Sequence, residues 1–533
     1  MSEHRALFKK VREVSLKADR FAGDGASGGS VPSAASAKQS WFGPGAFVWC
    51  CAVLYGAVFS LLTIRRHETY SSARFDLANM DQAIWNSANG RILEVTGEAG
   101  ENLTRLVNHA DFLLLAYVPL YWLWESPYWL LVSQSLIVGL GAVPLYWLAR
   151  RFIGRAWPAA MISAAYLFNP GLQSANTFDF HAQTLAPTFL LFAFHYLLAR
   201  RLLPFVGFAV LASLCKEEIS LMVAMMGAYV FVFERRFVLG ASVLAAGFGY
   251  FALVMGVIIP SFNDGTTSEL VEGRYGEVGG SMGGMARTLL TDPAAILGHA
   301  LSGGKPGYIL DLLGAGVFIC LLAPGLLLIA LPELAINLLS NRAQMSNANY
   351  HYSATIWPFV YLATAAGIAK ITGLAGRLFS GRAWRDDLLK VLPGVLAFWV
   401  LLFGVYLDLL NGPVPVSPNY VQNPVVMRGL PDEYIANLDE AVAAIPDDPG
   451  VSVTASNWIA PHLAHRETLY LFPTLEGSGG PADYVVVDLY RASYFTGVDR
   501  QRGQRVLERL IEDPRYRAIY IAPNVTVFER TPG

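Results

Sequence analysis

The stretch Arg74-Phe75-Asp76-Leu77-Ala78-Asn79-Met80-Asp81-Gln82 follows the first long apolar run of the chain, residues 46–64, and sets two carboxylates where hydrocarbon gives way to water. Ionisable groups beside a bilayer are costly and mark substrate paths or active sites. Read as an outer loop, this stretch fixes the frame for everything else: a polytopic α-helical membrane protein that works at one membrane face, more readily an enzyme or transporter than a scaffold.

Composition agrees with that frame. Of 533 residues, 54% are hydrophobic and only 15% charged, where soluble domains carry about 25% charged residues; mean hydropathy is +0.40. The formal net charge of −2 says little, because the placement of Lys and Arg matters more than their sum. Cys50, Cys51, Cys215 and Cys320 lie in apolar runs without a CxxC spacing or a Cys/His cluster, which points to packed core residues rather than to disulfides or a thiolate metal site.

A helix needs roughly 20 residues to cross a bilayer. By that measure spans fall near 46–64, 128–149, 158–170, 183–199, 202–215, 218–233, 237–259, 309–323, 325–339, 353–372 and 388–410, about eleven in all and several of them short. Arg150/Arg151/Arg155, Arg200/Arg201, Arg235/Arg236 and the stretch Lys370 to Lys390 then share one face with the basic N-terminus, the cytoplasmic face by the positive-inside rule. Residues 1–45, with Arg5, Lys9, Lys10, Arg12, Lys17 and Arg20 before a Gly/Ser/Ala-rich stretch, read as a flexible cytoplasmic tail and not as a cleavable signal. Phe112 to Trp124 would upset the alternation if it crossed, so it reads as interfacial or re-entrant, in keeping with its belt of Tyr117, Tyr121, Trp122 and Trp124. The transmembrane domain is thus 46–410, with an outer loop at 65–127 and further outer pieces at 171–182 and 260–308.

From 411 to 533 the pattern becomes that of a small extracytoplasmic α/β domain. Pro413, Pro415 and Pro418 form a stiff linker. Helices are expected at 434–445, 458–464 and 502–512, strands at 451–455, 468–472 and 484–488, and a hairpin over 516–529. Strands alternating with helices imply a partly parallel sheet, and no GxGxxG or Walker loop is present.

Four outer constellations could carry chemistry. Asp76 and Asp81 lie about 140° apart on a helix, so they would need a turn between them to act on one substrate; for Asp81 the competing reading is a helix cap. Asp179 and His181, in Asn176-Thr177-Phe178-Asp179-Phe180-His181, could both point at a ligand, the Asp orienting the His, or could simply close a helix hairpin. Lys216, in Cys215-Lys216-Glu217-Glu218, suits a lipid phosphate unless it is an ion pair with its Glu neighbour. His351 and Tyr352, in Asn347-Ala348-Asn349-Tyr350-His351-Tyr352, open a span and could equally be interfacial anchors.

These residues resemble a family of predicted bacterial membrane proteins catalogued as a domain of unknown function, itself similar to the GT-C superfamily of polyprenyl-phosphate-sugar glycosyltransferases. The resemblance is carried by Phe75-Asp76-Leu77, Asp81 to Asn86, His109, Tyr146 to Arg151, Phe178 to His181, Cys215 to Glu218, Leu338-Leu339-Ser340 with Tyr350 to Ser353, and Pro461 to Arg466, over most of residues 46–490. It implies a GT-C-like plan with an acid in the first outer loop and a soluble domain after the last span. Asp76, with Asp81, would be catalytic; Arg74, Asp179, His181, Lys216, Glu217, His351 and Tyr352 would bind substrate; His109 would be the metal ligand if a divalent ion takes part. Many relatives carry adjacent acids where this chain has Asp76-Leu77. The implied function is transfer of a sugar from a polyprenyl-phosphate donor to a glycan, lipid or protein acceptor on the outer face. A flippase of lipid-linked intermediates and a non-catalytic scaffold are the alternatives.

Overall fold

The computed structural model describes residues 43–263, 273–418, 430–491 and 498–531. The basic tail expected at the N-terminus lies outside them, apart from the start of the first helix. Among the described residues, five helices are long and apolar enough to cross a membrane: Pro44–Glu68, Tyr128–Ile153 in two segments, Phe237–Ser261, Trp357–Leu378 and Arg385–Asn411. Shorter apolar helices occupy Ala156–Leu167, Ala182–Leu198, Leu202–Ser213, Ile219–Val232 and Pro324–Leu339. The expected span at 309–323 is interrupted, because the helix Lys305–Gly314 ends before a 3-10 turn at Ile319–Leu322.

Local sequence explains the breaks. Gly154 takes a left-handed φ of 74° and stops the helix Ala142–Ile153 at the basic turn, as a C-terminal glycine does. Phe112 to Trp124 breaks into a 3-10 stretch, Phe112–Tyr117, and a single turn, Val118–Tyr121, leaving Trp122 and Trp124 exposed. The turns bearing Asp76, His181 and Lys216 gather in one cluster around His351 and Tyr352, and the basic turns lie at the other end. At that other end Arg236 donates to the Leu197 carbonyl at 3.1 Å and Arg155 to the Lys390 carbonyl at 3.0 Å.

The core of the bundle combines small and large apolar residues. Pro44–Glu68 packs against Tyr128–Leu140 through Gly56 and Gly139; a Cβ on Gly139 would press on the Ala52 carbonyl and the Tyr55 ring. Helices in lipid gain little from burial as such and depend on this close approach. Cys215 and Cys320 are buried as expected, whereas Cys50 is exposed on the outside of the first helix.

Beyond residue 430 lies a five-stranded mixed sheet. Its strands are named here with the short hairpin of the first loop: β1 (Glu94–Thr96), β2 (Asn102–Thr104), β3 (Val453–Ala455), β4 (Leu469–Leu471), β5 (Tyr484–Asp488), β6 (Tyr516–Ile521) and β7 (Val525–Arg530). The order is β4-β3-β5-β7-β6, with β3 parallel to β4 and β5, and β7 antiparallel to β5 and β6. Val485, Val486 and Val487 at the centre of β5 are fully buried, which is why that strand reads as an uninterrupted apolar run. The sheet does not stand apart from the first loop. Tyr70 and Ala78 sit in its apolar core, and Arg74 donates to the Leu469 carbonyl of β4 at 3.5 Å.

The contact at Gly139 generates a test. Gly139→Val should destabilise the protein in detergent by about 1–3 kcal/mol, the usual cost of overpacking. Gly249→Val, at a glycine with open space around it, should leave the melting temperature unchanged; equal melting of the two variants would refute the close approach.

Candidate active site

The site starts from an Asn-Pro helix start. Asn169 accepts the Leu172 N–H at 2.8 Å and Pro170 fills the first helical position, launching the helix Pro170–Thr177 towards the loop Phe178–His181. One amide then holds the loop: Gln134 donates to the carbonyls of Asn176 at 2.9 Å and Asp179 at 2.7 Å, and accepts the His181 N–H at 2.9 Å. Asp179 has a positive φ of 54°, and its buried carboxylate accepts the Ala73 N–H at 2.7 Å while lying 3.4 Å from Arg66 Nε. Ala73 immediately precedes a π-helical turn, Arg74–Ala78, and that turn aims Asp76 at His181, with Oδ1 2.9 Å from Nε2.

His181 in turn stacks on His351, ring centroids 3.7 Å apart and planes within 17°. Gly171 permits the approach. A side chain there would strike the Ala348 carbonyl and the Trp357 ring, pushing away the loop that delivers His351. The ring of Tyr352 follows at 4.1 Å from His351, and two cations lie over it: the Lys216 ammonium at 5.8 Å and the Arg274 guanidinium at 6.0 Å from the ring centre. Lys216 is ion-paired with Glu218 and donates to Gln183 at 3.3 Å; Gln183 donates to the buried Glu333 at 2.8 Å. Burial would strip the proton from Lys216, but Glu218 and Glu217 outweigh it and raise its pKa, so the cation is kept. Burial and the neighbouring His181, Lys216, Arg274 and His109 drive His351 well below the usual imidazole value, so it stacks as a neutral ring.

Asp81 belongs to a different cluster. Its buried carboxylate accepts the Tyr121 hydroxyl and lies 3.1 Å from His465 Nε2 on the sheet side, while its second oxygen has no partner among the described residues. His465 stacks near Trp85 at 6.2 Å. The turn from Asp76 to Asp81 is helical throughout, so the two acids diverge as the 140° estimate required.

Several candidates are thereby relocated. Arg74 is buried away from the cluster, donating through its guanidinium to the Thr96 carbonyl and through its backbone to Asn457 at 3.0 Å, so it joins the loop to the sheet. Glu217 is not the partner of Lys216: it lies 2.9 Å from His109 Nδ1 and accepts the Ala110 N–H at 3.0 Å. Burial alone would raise its carboxyl, but His109, Lys216 and that N–H hold it at about 2. Asp179 does not orient the His181 ring; it locks the backbone before Asp76. His109 is engaged by Glu217, and among the described residues no three His, Cys, Asp or Glu side chains converge to hold a metal ion.

Gln134, Gln183, Arg274 and Glu333 were not singled out from the sequence. Glu333 carried a usable signal, a carboxylate inside an apolar run. Gln134 and Gln183 are polar residues within or beside spans. Arg274 has no local signature.

The fold and the site define a polytopic helical membrane protein with a charged, aromatic-lined cluster at one end of its bundle. The chain belongs to the family described as Predicted membrane protein (DUF2079), whose model matches residues 66–527. Among solved structures it is similar in fold to ArnT from Cupriavidus metallidurans in the apo state, 13% identical with a TM-score of 0.50, covering 91% of this chain and 99% of that one. ArnT from the same organism bound to undecaprenyl phosphate is 15% identical with a TM-score of 0.48 and the same coverage. No curated protein matches the sequence. The likeness to ArnT is one of fold alone.

The Asp81–His465 pair gives a pH prediction. Burial lowers the affinity of His465 for its proton, but the Asp81 charge and hydrogen bond outweigh burial and raise its pKa. The stabilisation is therefore complete below the ordinary imidazole value of about 6.5 and is lost as pH rises through the raised value. Hydrogen exchange of the 463–472 segment, corrected for intrinsic rate, should quicken from pH 6 to pH 9. Asp81→Asn should abolish that step; an identical pH step in the variant would refute the linkage.

Proposed function

We propose that this protein is an integral membrane glycosyltransferase that moves a sugar from a polyprenyl-phosphate-linked donor to an acceptor hydroxyl at the membrane face carrying Asp76. The observation that carries the reading is the continuity of one cluster: a carboxylate held by His181, then the His351 and Tyr352 rings, then the Lys216 and Arg274 cations. GT-C-like architecture supports it. The basic turns of the bundle support a cytoplasmic position for the end that carries them, and with it an outer-face position for Asp76 and the 411–533 domain.

The chemistry follows from what each end can do. Asp76, 21% exposed and anchored on one oxygen, takes the proton of the acceptor hydroxyl as its oxygen bonds to the anomeric carbon. The bond from that carbon to the phosphate oxygen breaks, and the polyprenyl phosphate leaves with the electron pair. Lys216 and Arg274 receive the charge on the phosphate; the Tyr352 ring beneath them keeps both cations on one side of the sugar. Asp81 faces another cluster, so it is not the second carboxylate that a double displacement would need. A single, inverting displacement is the outcome this arrangement favours.

The direct test is sugar transfer in membranes or proteoliposomes supplied with polyprenyl-phosphate sugars, paired with mass spectrometry of envelope glycans with and without the protein. Asp76→Asn should lower turnover by about 10²–10⁴, the range of a general base, with the protein still folded. Wild-type turnover in that variant would sink the assignment.

Lys216 is tested against its true partner. Lys216→Met alone leaves Glu218 buried without its cation and should destabilise the protein by about 3–5 kcal/mol. Adding Glu218→Gln should restore the melting temperature. If Lys216 serves the phosphate, turnover stays low in the double variant; recovery of both properties would make the residue a structural ion pair only.

A further inference from the structure

At the end of the bundle away from Asp76, the helices Ala156–Leu167 and Arg385–Asn411 leave a groove of about 630 Å³ between them. Its walls are apolar. Val391, Gly394, Val395 and Phe398 recur at the spacing of one helix face, and Trp157, Pro158 and Met161 line the other side. Its mouth carries two cations, Arg155 and Lys390. Arg155 uses one guanidinium nitrogen on the Lys390 carbonyl, which draws the mouth together and leaves its other donors free of protein hydrogen bonds among the described residues. Lys390 is 65% exposed beside Asp387 at 3.0 Å, a pair that solvent and salt weaken.

Both walls belong to apolar helices at membrane depth, so whatever fills the groove must be apolar along most of its length. What sits at the mouth must be anionic, because Arg155 and Lys390 meet there. An indole at the mouth, Trp157 at 46% exposure, is the residue type that marks the headgroup level. We infer that this groove is a binding site for an anionic phospholipid, one acyl chain lying along Gly394 and Phe398 and the headgroup phosphate on Arg155 and Lys390. Charge complementarity distinguishes such a site from the ordinary lipid-facing surface, which takes zwitterionic and anionic lipids alike. Neither cation and no lining residue belongs to the Asp76 cluster, so the inference is independent of the transferase reading.

Gly394 supplies a control of shape. A Cβ there meets nothing within 4 Å, so Gly394→Leu fills the groove without straining the fold. The experiment is native mass spectrometry of the full-length protein titrated with phosphatidylglycerol or phosphatidylcholine, on wild type, on Gly394→Leu and on the double variant Arg155→Gln with Lys390→Gln. Melting temperatures in detergent confirm that each is folded. Wild type should retain phosphatidylglycerol in preference to phosphatidylcholine. The double variant should lose that preference by about fivefold for each charge removed, the effect of one basic residue at a membrane surface. Gly394→Leu should lose it although both cations remain. Equal retention of the two lipids by wild type, or a wild-type preference in either folded variant, overturns the inference.

Discussion

The position of Asp76 depends on two backbone hydrogen bonds made just before it. Ala73 donates its N–H to Asp179 and Arg74 donates its own to Asn457. One partner comes from the helical bundle and the other from the sheet side, so the acid is suspended between the two. A carboxylate at a membrane surface would otherwise swing into water. Held on both sides, it can only face His181. The same logic extends outward: Asp179 is placed by the Gln134 amide, and Arg74 is sealed in by the Thr96 and Leu469 carbonyls.

This arrangement separates the acidic residues by environment. Asp76 keeps part of its surface and shares one oxygen with a histidine, which is the condition of a group that can still accept a proton. Asp81, Asp179 and Glu217 are buried and bonded to hydroxyl, backbone and imidazole partners, one Asp81 oxygen being left without a partner among the described residues. Burying a carboxylate is tolerable only with such compensation, and the compensated ones hold the loops in place. The cations divide in the same way. Arg66, Arg74 and Arg105 are joined to loop carboxylates or carbonyls, with Arg105 2.5 Å from Asp111, whereas Lys216, paired with Glu218, and Arg274 both lie over the ring of Tyr352.

The fold class was legible in the sequence because it rests on composition and on run length, which are one-dimensional properties. The break in the apolar run after Phe112 and the strand at Tyr484–Asp488 were visible for the same reason. His181, Lys216, His351 and Tyr352 could be named as candidates, since polar residues at the ends of apolar runs stand out. Their partners could not. Lys216 has Glu217 beside it in the chain, yet the backbone turns so that Glu218 meets it and Glu217 meets His109. Neighbours in sequence point in different directions at a helix start, and nothing in the spacing says which one will face the cation.

The sequence by itself determined that the chain lives in a membrane and which segments are apolar, because hydrophobic transfer acts on each segment almost independently of the others. Tertiary structure alone decided that Asp76 and Asp81 serve different clusters, that Arg274 joins Lys216 over one ring, and that the sheet after residue 430 closes on the first loop. Those facts depend on contacts between residues hundreds of positions apart, such as Arg74 with Leu469 and Asp81 with His465. Short-range pattern carries no term for them; they arise only when packing brings the segments within hydrogen-bonding distance.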